Sequence, residues 1–370
     1  MIEPSIAADR LVHDTLKGEP VIAFSVSGGK DSAAATVATN AWLDLHGHPR
    51  SRRVLIHADL GSIEWRTTPD QLASLAEAAG LDLIIARRRA GGLVERWEQR
   101  FANGKSRYAN LETYNLIGPW SSSALRFCTS EMKAQVIGPE LRRRYQGQTI
   151  VSVVGLRRAE SLARANAPIA VVDTRFAKPG NAAGTRMLTW HPIIEWTDSQ
   201  VYDFHVERAI PLHEAYVLWN ATRMGCTYCV LASLRNLEAS ARAPANHAVY
   251  RDLVNIEIDS TFSFQNTRWL GDVASDLLGT AQRRALAEAK RAAIVRREQE
   301  ALLPPDLRFQ RGWPPRVPTM VEAVRIVAVR DQILAQHALV NHFPTARSVI
   351  DRFAELHAAR QPSDGGRLTM

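Results

Sequence analysis

The stretch VIAFSVSGGKDSAAATVATNAW, residues 21–42, decides how the chain is read. It opens on an apolar run, Val21-Ile22-Ala23-Phe24, that suits a buried strand. The run breaks at Ser27-Gly28-Gly29-Lys30-Asp31-Ser32 and passes into an alanine-rich helical pattern. A strand, a glycine turn and a helix start leave several backbone N–H groups without carbonyl partners, pointing outward. Glycine permits positive φ and lets a ligand approach the backbone. Lys30 adds a point charge, and Ser27 and Ser32 add hydroxyl donors. The ligand that suits such a lip is a polyphosphate. The pattern is not a Walker A loop, which needs a glycine where Phe24 stands and Ser or Thr where Asp31 stands.

Working outward, strands read at 21–27, 53–58, 82–87 and 149–155, with helical patterns near 30–46, 67–79, 91–102 and 130–145. This alternation predicts an α/β fold with a doubly wound parallel sheet and right-handed crossovers. Ligands on such sheets bind at the carboxyl ends of the strands. The second strand delivers Asp59 to that edge, where it can hold Mg²⁺ or a ribose hydroxyl, or serve as a turn or cap residue. The stretch 166–192 reads as short strands or a loop excursion. Beyond it helices dominate, among them 281–303, 319–340 and 345–360. The reading places one domain over 1–240 and a mainly helical region over 241–370. The prolines make 304–318 a stiff linker, and QPSDGGRLTM a disordered tail.

The chain has 370 residues, 46% hydrophobic, with a formal net charge of +8. That size allows two domains with ample core, and the charge favours an anionic partner. No run approaches the length of a membrane span. Three cysteines make no disulfide framework and suit a reducing cytoplasm.

Those cysteines stand in two places: Cys128, within Arg126-Phe127-Cys128-Thr129, and the pair Cys226 and Cys229, spaced C-x-x-C. Such a pair suits Zn²⁺, an iron–sulfur cluster or a redox dithiol. A third thiol favours a metal or cluster site; the alternative is a small buried hydrophobe and an incidental spacing.

With these residues in view, Ser27–Ser32 resembles the PP-loop, S-G-G-x-D-S, of ATP pyrophosphatases, which cleave ATP between the α- and β-phosphates. The chain as a whole resembles the phosphoadenosine phosphosulfate reductase superfamily. Besides the PP-loop it carries R-x-C-[CT]-x-x-x-K at Arg126 to Lys133, and G-x-R-x-x-E-S-x-x-R at Gly155, Arg157, Glu160, Ser161 and Arg164. P-[IL]-x-x-W-[ST]-x-x-x-[VI] follows at Pro192 to Val201, and G-C-x-x-C at Gly225 to Cys229. The resemblance implies an adenine nucleotide alpha hydrolase-like fold. It implies that Ser27, Gly28, Gly29, Lys30, Asp31 and Ser32 bind ATP phosphates and that Arg157 and Arg164 face phosphate or substrate. Lys30, Asp31, Arg157 and Arg164 are then the catalytic set, with ATP and Mg²⁺ as cofactors.

Two departures redirect the expectation. The reductases carry a nucleophilic cysteine in a C-terminal tail, and here no cysteine follows Cys229. The resemblance brings Cys128 near Cys226 and Cys229 as metal ligands, but four-cysteine members have adjacent cysteines where this chain has Cys128-Thr129, so a [4Fe–4S] cluster would keep one iron open; Zn²⁺ is the other metal. An intact PP-loop without the reductase thiol implies adenylation of a substrate oxygen followed by sulfur entry from a cysteine desulfurase. His213-x-Ala215-Tyr216 followed by Gly225-Cys226-x-x-Cys229 is similar to the ATP pyrophosphatases of bacterial DNA phosphorothioation (DndC/SspD type), although Glu214 replaces their proline. That resemblance implies DNA as acceptor, other modification-system subunits as partners and a restriction–modification setting. A tRNA acceptor, a phosphoadenosine phosphosulfate reductase-like enzyme and a nucleotide-sensing DNA-binding module are the alternatives. The basic helix 281–303 reads as a solvated face, a phosphate-contacting surface or a docking site.

Overall fold

The computed structural model describes residues 5–307 and 313–359. The expected tail, 361–370, and part of the expected linker lie outside the described residues. The chain forms two compact units. One takes the chain up to Leu93 together with Ser122–Val249, and the other Val94–Ser121 together with the chain from Tyr250 onward. The sequence reading placed its boundary at 240/241. The observed division falls at Val249/Tyr250, and an internal segment, Val94–Ser121, belongs with the later unit.

The first unit is built on a six-stranded sheet in the order β3-β2-β1-β4-β6-β5. Its strands are β1 (Val21–Ser25), β2 (Arg53–Asp59), β3 (Leu83–Arg87), β4 (Thr149–Val154), β5 (Ala170–Val172) and β6 (Arg186–Trp190). All pairings are parallel except β5 with β6. Alternation along each strand divides the apolar residues between two faces. Ile22, Phe24, Leu55, Val151 and Val153 pack on one side with Leu43, Leu72 and Leu75, from the helices Lys30–Leu45 and Thr68–Ala79. Ala23, Val54, Ile56, Ile84 and Ile150 pack on the other with Leu141, from the helix Gln135–Arg144. Both faces are therefore covered, and the expected α/β fold with a doubly wound sheet is the observed one. The stretch 166–192 supplies β5 and β6. The strand order reverses between β1 and β4, and that switch point is where such sheets bind ligands.

The second unit is helical. Phe101, Tyr108, Leu111, Ile326, Val329, Ile333 and Phe353 share its core. The prolines read as a linker flank residues of this core. Leu307 is buried, and the Trp313 ring lies 5.8 Å from Tyr114 and 5.3 Å from Phe353. Buried Arg330 donates to the carbonyls of Tyr108 (2.6 Å) and Ala109 (3.1 Å), the last residues of the helix Leu93–Ala109. A cation there also suits the negative end of the helix dipole. No helix among the described residues is long and apolar enough to cross a membrane.

Candidate nucleotide site

β1 ends at Ser25, and the chain turns through Gly28 at φ +75°, a conformation that favours glycine. Gly29 caps the helix Lys30–Leu45, whose first-turn amides face the carboxyl edge of the sheet. The two serines serve the loop itself. Ser32 Oγ donates to Gly29 O (2.9 Å) and accepts from Ser27 N (3.3 Å).

Lys30 is only 4% exposed, so its ammonium needs partners. It donates to Asp31 Oδ1 (3.1 Å) and to Asp198 Oδ1 (2.7 Å), and lies 5.2 Å from the centre of the Tyr202 ring. Arg157, just beyond β4 on the far side of the switch point, is equally buried. Its Nε donates to Asp31 Oδ1 (2.6 Å) and its Nη2 to Asp198 Oδ1 (2.8 Å). Burial pulls the Asp198 carboxyl up, but Lys30 and Arg157 outweigh it and hold Asp198 below the ordinary carboxylate range. Three residues of the expected catalytic set, Lys30, Asp31 and Arg157, thus meet in one ring of contacts.

Arg164 lies in the same field. It pairs with Glu160 and is pulled down first by burial and then by repulsion from Arg223 and Arg126. Several guanidinium groups within mutual range, with few carboxylates among them, make a local excess of positive charge that suits a multiply charged anion.

Two supports hold the loop from outside. His205 Nε2 contacts Lys30 O at 2.8 Å, and Lys30 N reaches Tyr216 Oη at 3.5 Å. Tyr216 Oη also accepts from Met224 N at 3.2 Å. Gly155 lets β4 approach the same turn. A Cβ there would fall 2.5 Å from Asp31 O and 2.9 Å from Ser32 Cα.

Asp59, at the end of β2, accepts from Gly61 N (2.8 Å) and pairs with Arg87, so its carboxylate is occupied by its own turn and a neighbouring strand. It also lines a cavity of about 590 Å³ together with Glu64, Trp65, Arg66, Arg88 and Asn246. Glu64 bonds His57 Nε2 at 3.1 Å. Burial pulls His57 down, yet Glu64 outweighs it and the imidazole is raised above its ordinary value.

The C-x-x-C loop is anchored close by, since Thr227 N donates to Ile63 O at 2.8 Å. Burial pushes the Cys226 thiol up to about 12; Cys229 and Cys128 push the same way and Lys133 opposes them. Lys133 sits on a π-helical turn, Ser130–Ala134, a form frequent at functional sites. The three sulfurs therefore share one electrostatic neighbourhood. Yet among the described residues no group of three or more His, Cys, Asp or Glu side chains is arranged to hold a metal ion. Cys128, Cys226 and Cys229, the expected ligand set, form no such group.

The model of the phosphoadenosine phosphosulfate reductase domain matches residues 21–232, more than half of the chain. The chain belongs to that family. The family region takes in the PP-loop, Arg157, Asp198 and all three cysteines. Among solved structures, the phosphate complex of phosphoadenylyl-sulfate reductase from Candida auris is 16% identical. It covers 60% of this chain and 98% of its own, with a TM-score of 0.35. FMN adenylyltransferase from Candida glabrata, in complex with FMN and the ATP analogue AMPCPP, is 15% identical. It covers 60% of this chain and 67% of its own, with a TM-score of 0.31. No curated protein matches the sequence.

Sequence reading passed over Asp198, His205 and Arg223. An acid just after Thr197 reads as part of a helix start, and the structure gives Thr197 a capping box with Gln200 as well. The usable signal was the place of Asp198 inside the Pro192–Val201 motif, next to the tryptophan and threonine that define it.

Proposed function

We propose that this chain is an ATP pyrophosphatase that adenylates an oxygen of a nucleic acid, the DNA backbone, so that sulfur can replace it. The observation that carries the reading is that Lys30 and Arg157, from opposite sides of the switch point, share the carboxylates of Asp31 and Asp198 beside the glycine turn. Two buried cations and a row of amides suit the α- and β-phosphates of a nucleotide. The acceptor oxygen attacks the α-phosphorus, the α–β bridging bond breaks, and pyrophosphate leaves with the electron pair. Lys30 and Arg157 stabilise the charge that develops on that leaving group, and most of the rate enhancement comes from positioning.

Asp31, by its place on the loop, would supply a carboxylate to magnesium carried in with the nucleotide. When bound, the ion neutralises charge on the phosphates. The terminal sulfur of a desulfurase's cysteine persulfide then attacks the activated phosphorus, AMP leaves with the former acceptor oxygen, and a dithiol reductant cleaves the S–S bond to free the phosphorothioate. The net charge of +8 and the arginine field around Arg164 support a nucleic-acid acceptor.

Mass spectrometry of nuclease-digested DNA from a strain carrying the active system tests the acceptor. Sulfur-containing dinucleotides are expected with the native protein and not with Lys30→Ala. Thiolated nucleosides in tRNA digests alone would move the acceptor to RNA. The family match favours one second reading, a reductase of phosphoadenosine phosphosulfate. Sulfite released from that substrate in the presence of a dithiol would favour it.

A further inference from the structure

The buried cations at the PP-loop are already balanced by two carboxylates, and the two are not equivalent. Asp31 Oδ1 accepts from Lys30 Nζ and Arg157 Nε, while Asp198 Oδ1 accepts from Lys30 Nζ and Arg157 Nη2. Each carboxylate bridges the same two cations, so the four charges close into a ring of zero net charge. A polyphosphate can take the particular N–H groups that Lys30 and Arg157 turn toward these carboxylates only where a carboxylate releases them.

Asp31 is poorly placed to release. Its side chain is 17% exposed, and its backbone is wedged against Gly155. The Asp198 side chain is 63% exposed. It begins the helix Asp198–Glu207, whose start is secured by Thr197 and Gln200 rather than by Asp198. A rotamer change carries its carboxylate into solvent and leaves the backbone where it is.

We propose that Asp198 is a resident anion of the phosphate site: it holds Lys30 and Arg157 when no nucleotide is bound, yields to the incoming polyphosphate, and returns as pyrophosphate leaves. The inference rests on the polyphosphate reading above and adds a positioning residue to it. The arrangement explains how two cations stay buried without ligand, since an unpartnered buried charge is strongly disfavoured. It also favours multiply charged phosphoanhydrides, because a ligand must replace an oxygen that both cations share.

Binding of magnesium pyrophosphate and of AMPCPP to the full chain, measured by titration calorimetry, tests the proposal. Asp198→Asn is expected to bind pyrophosphate about tenfold more tightly than the native protein, because the competing anion is gone. Asp198→Ser serves the same purpose should the first variant fail to fold. A merely structural Asp198 gives the opposite sign. Equal or weaker binding by a folded variant, with the native protein binding normally, would overturn the proposal and leave the polyphosphate reading standing. Binding by neither protein would remove that reading, and the role of Asp198 with it.

Discussion

At the scale of single residues, the Lys30 side chain is buried and depends on its partners. Its ammonium is enclosed by Asp31, Asp198 and the Tyr202 ring, and its carbonyl is held by His205. Lys30→Ala would leave two carboxylates sharing Arg157 alone and remove one donor to the leaving phosphate. Pyrophosphate release should fall by about 10²–10³-fold, as for loss of one preorganised donor, while the far-ultraviolet dichroism stays native. Activity within a few-fold of native would take Lys30 out of the chemistry. Lys30 and Asp31 were legible because they sit in one short motif whose spacing carries meaning. Asp198 was not, because it meets Lys30 and Arg157 only once the fold brings it across from a distant helix start. Asp59 shows the converse. Its position at a strand end was read correctly, but nothing in the sequence revealed that Gly61 and Arg87 engage its carboxylate.

At the scale of elements, the site depends on how closely β4 approaches the helix Lys30–Leu45. Gly155 permits it, since a Cβ would meet the Asp31 carbonyl and the Ser32 Cα, both backbone atoms that cannot turn aside. Gly155→Ala should therefore shift the loop, lowering stability by about 1–3 kcal/mol and weakening AMPCPP binding together with it. Denaturant unfolding and titration calorimetry check both; a variant as stable and as tight-binding as the native protein would contradict the close approach. The main parallel strands were legible because fully buried strands read as unbroken apolar runs. The stretch 166–192 was less so, because β5 spans only Ala170–Val172 and has two exposed residues. The π-helical turn at Ser130–Ala134 left no trace in the periodicity, which continues across it as an ordinary helix.

For the whole molecule, the sequence reading divides the chain at 240/241, whereas the compact units divide at Val249/Tyr250 and the later one takes in Val94–Ser121. The shift from strand–helix alternation to helices marked the later unit, but the membership of Val94–Ser121 comes from tertiary packing and not from composition. Within that unit Glu257 is fully buried and accepts from Phe264 N (2.7 Å), Leu270 N (2.7 Å) and Gly271 N (3.0 Å). Burial pushes its carboxyl up to about 7 from an ordinary 4.5, against the pull of those amides. Between these values the folded chain holds a proton that the unfolded chain has lost. Stability from this group is therefore greatest below pH 4.5 and declines as pH rises to about 7, by about 3 kcal/mol in all. Thermal unfolding at pH 5 and pH 8 should show a smaller difference in Glu257→Gln than in the native protein; the same difference in both would contradict the assignment.

The central claim, that the lip of β1 grips a nucleotide so that its innermost phosphoanhydride bond is severed, has one direct test. The purified full chain, incubated with magnesium, α-³²P-labelled ATP and nucleic-acid acceptor, should yield pyrophosphate with the label in AMP or an adenylated acceptor. Labelled ADP with orthophosphate, or no nucleotide turnover, would contradict it.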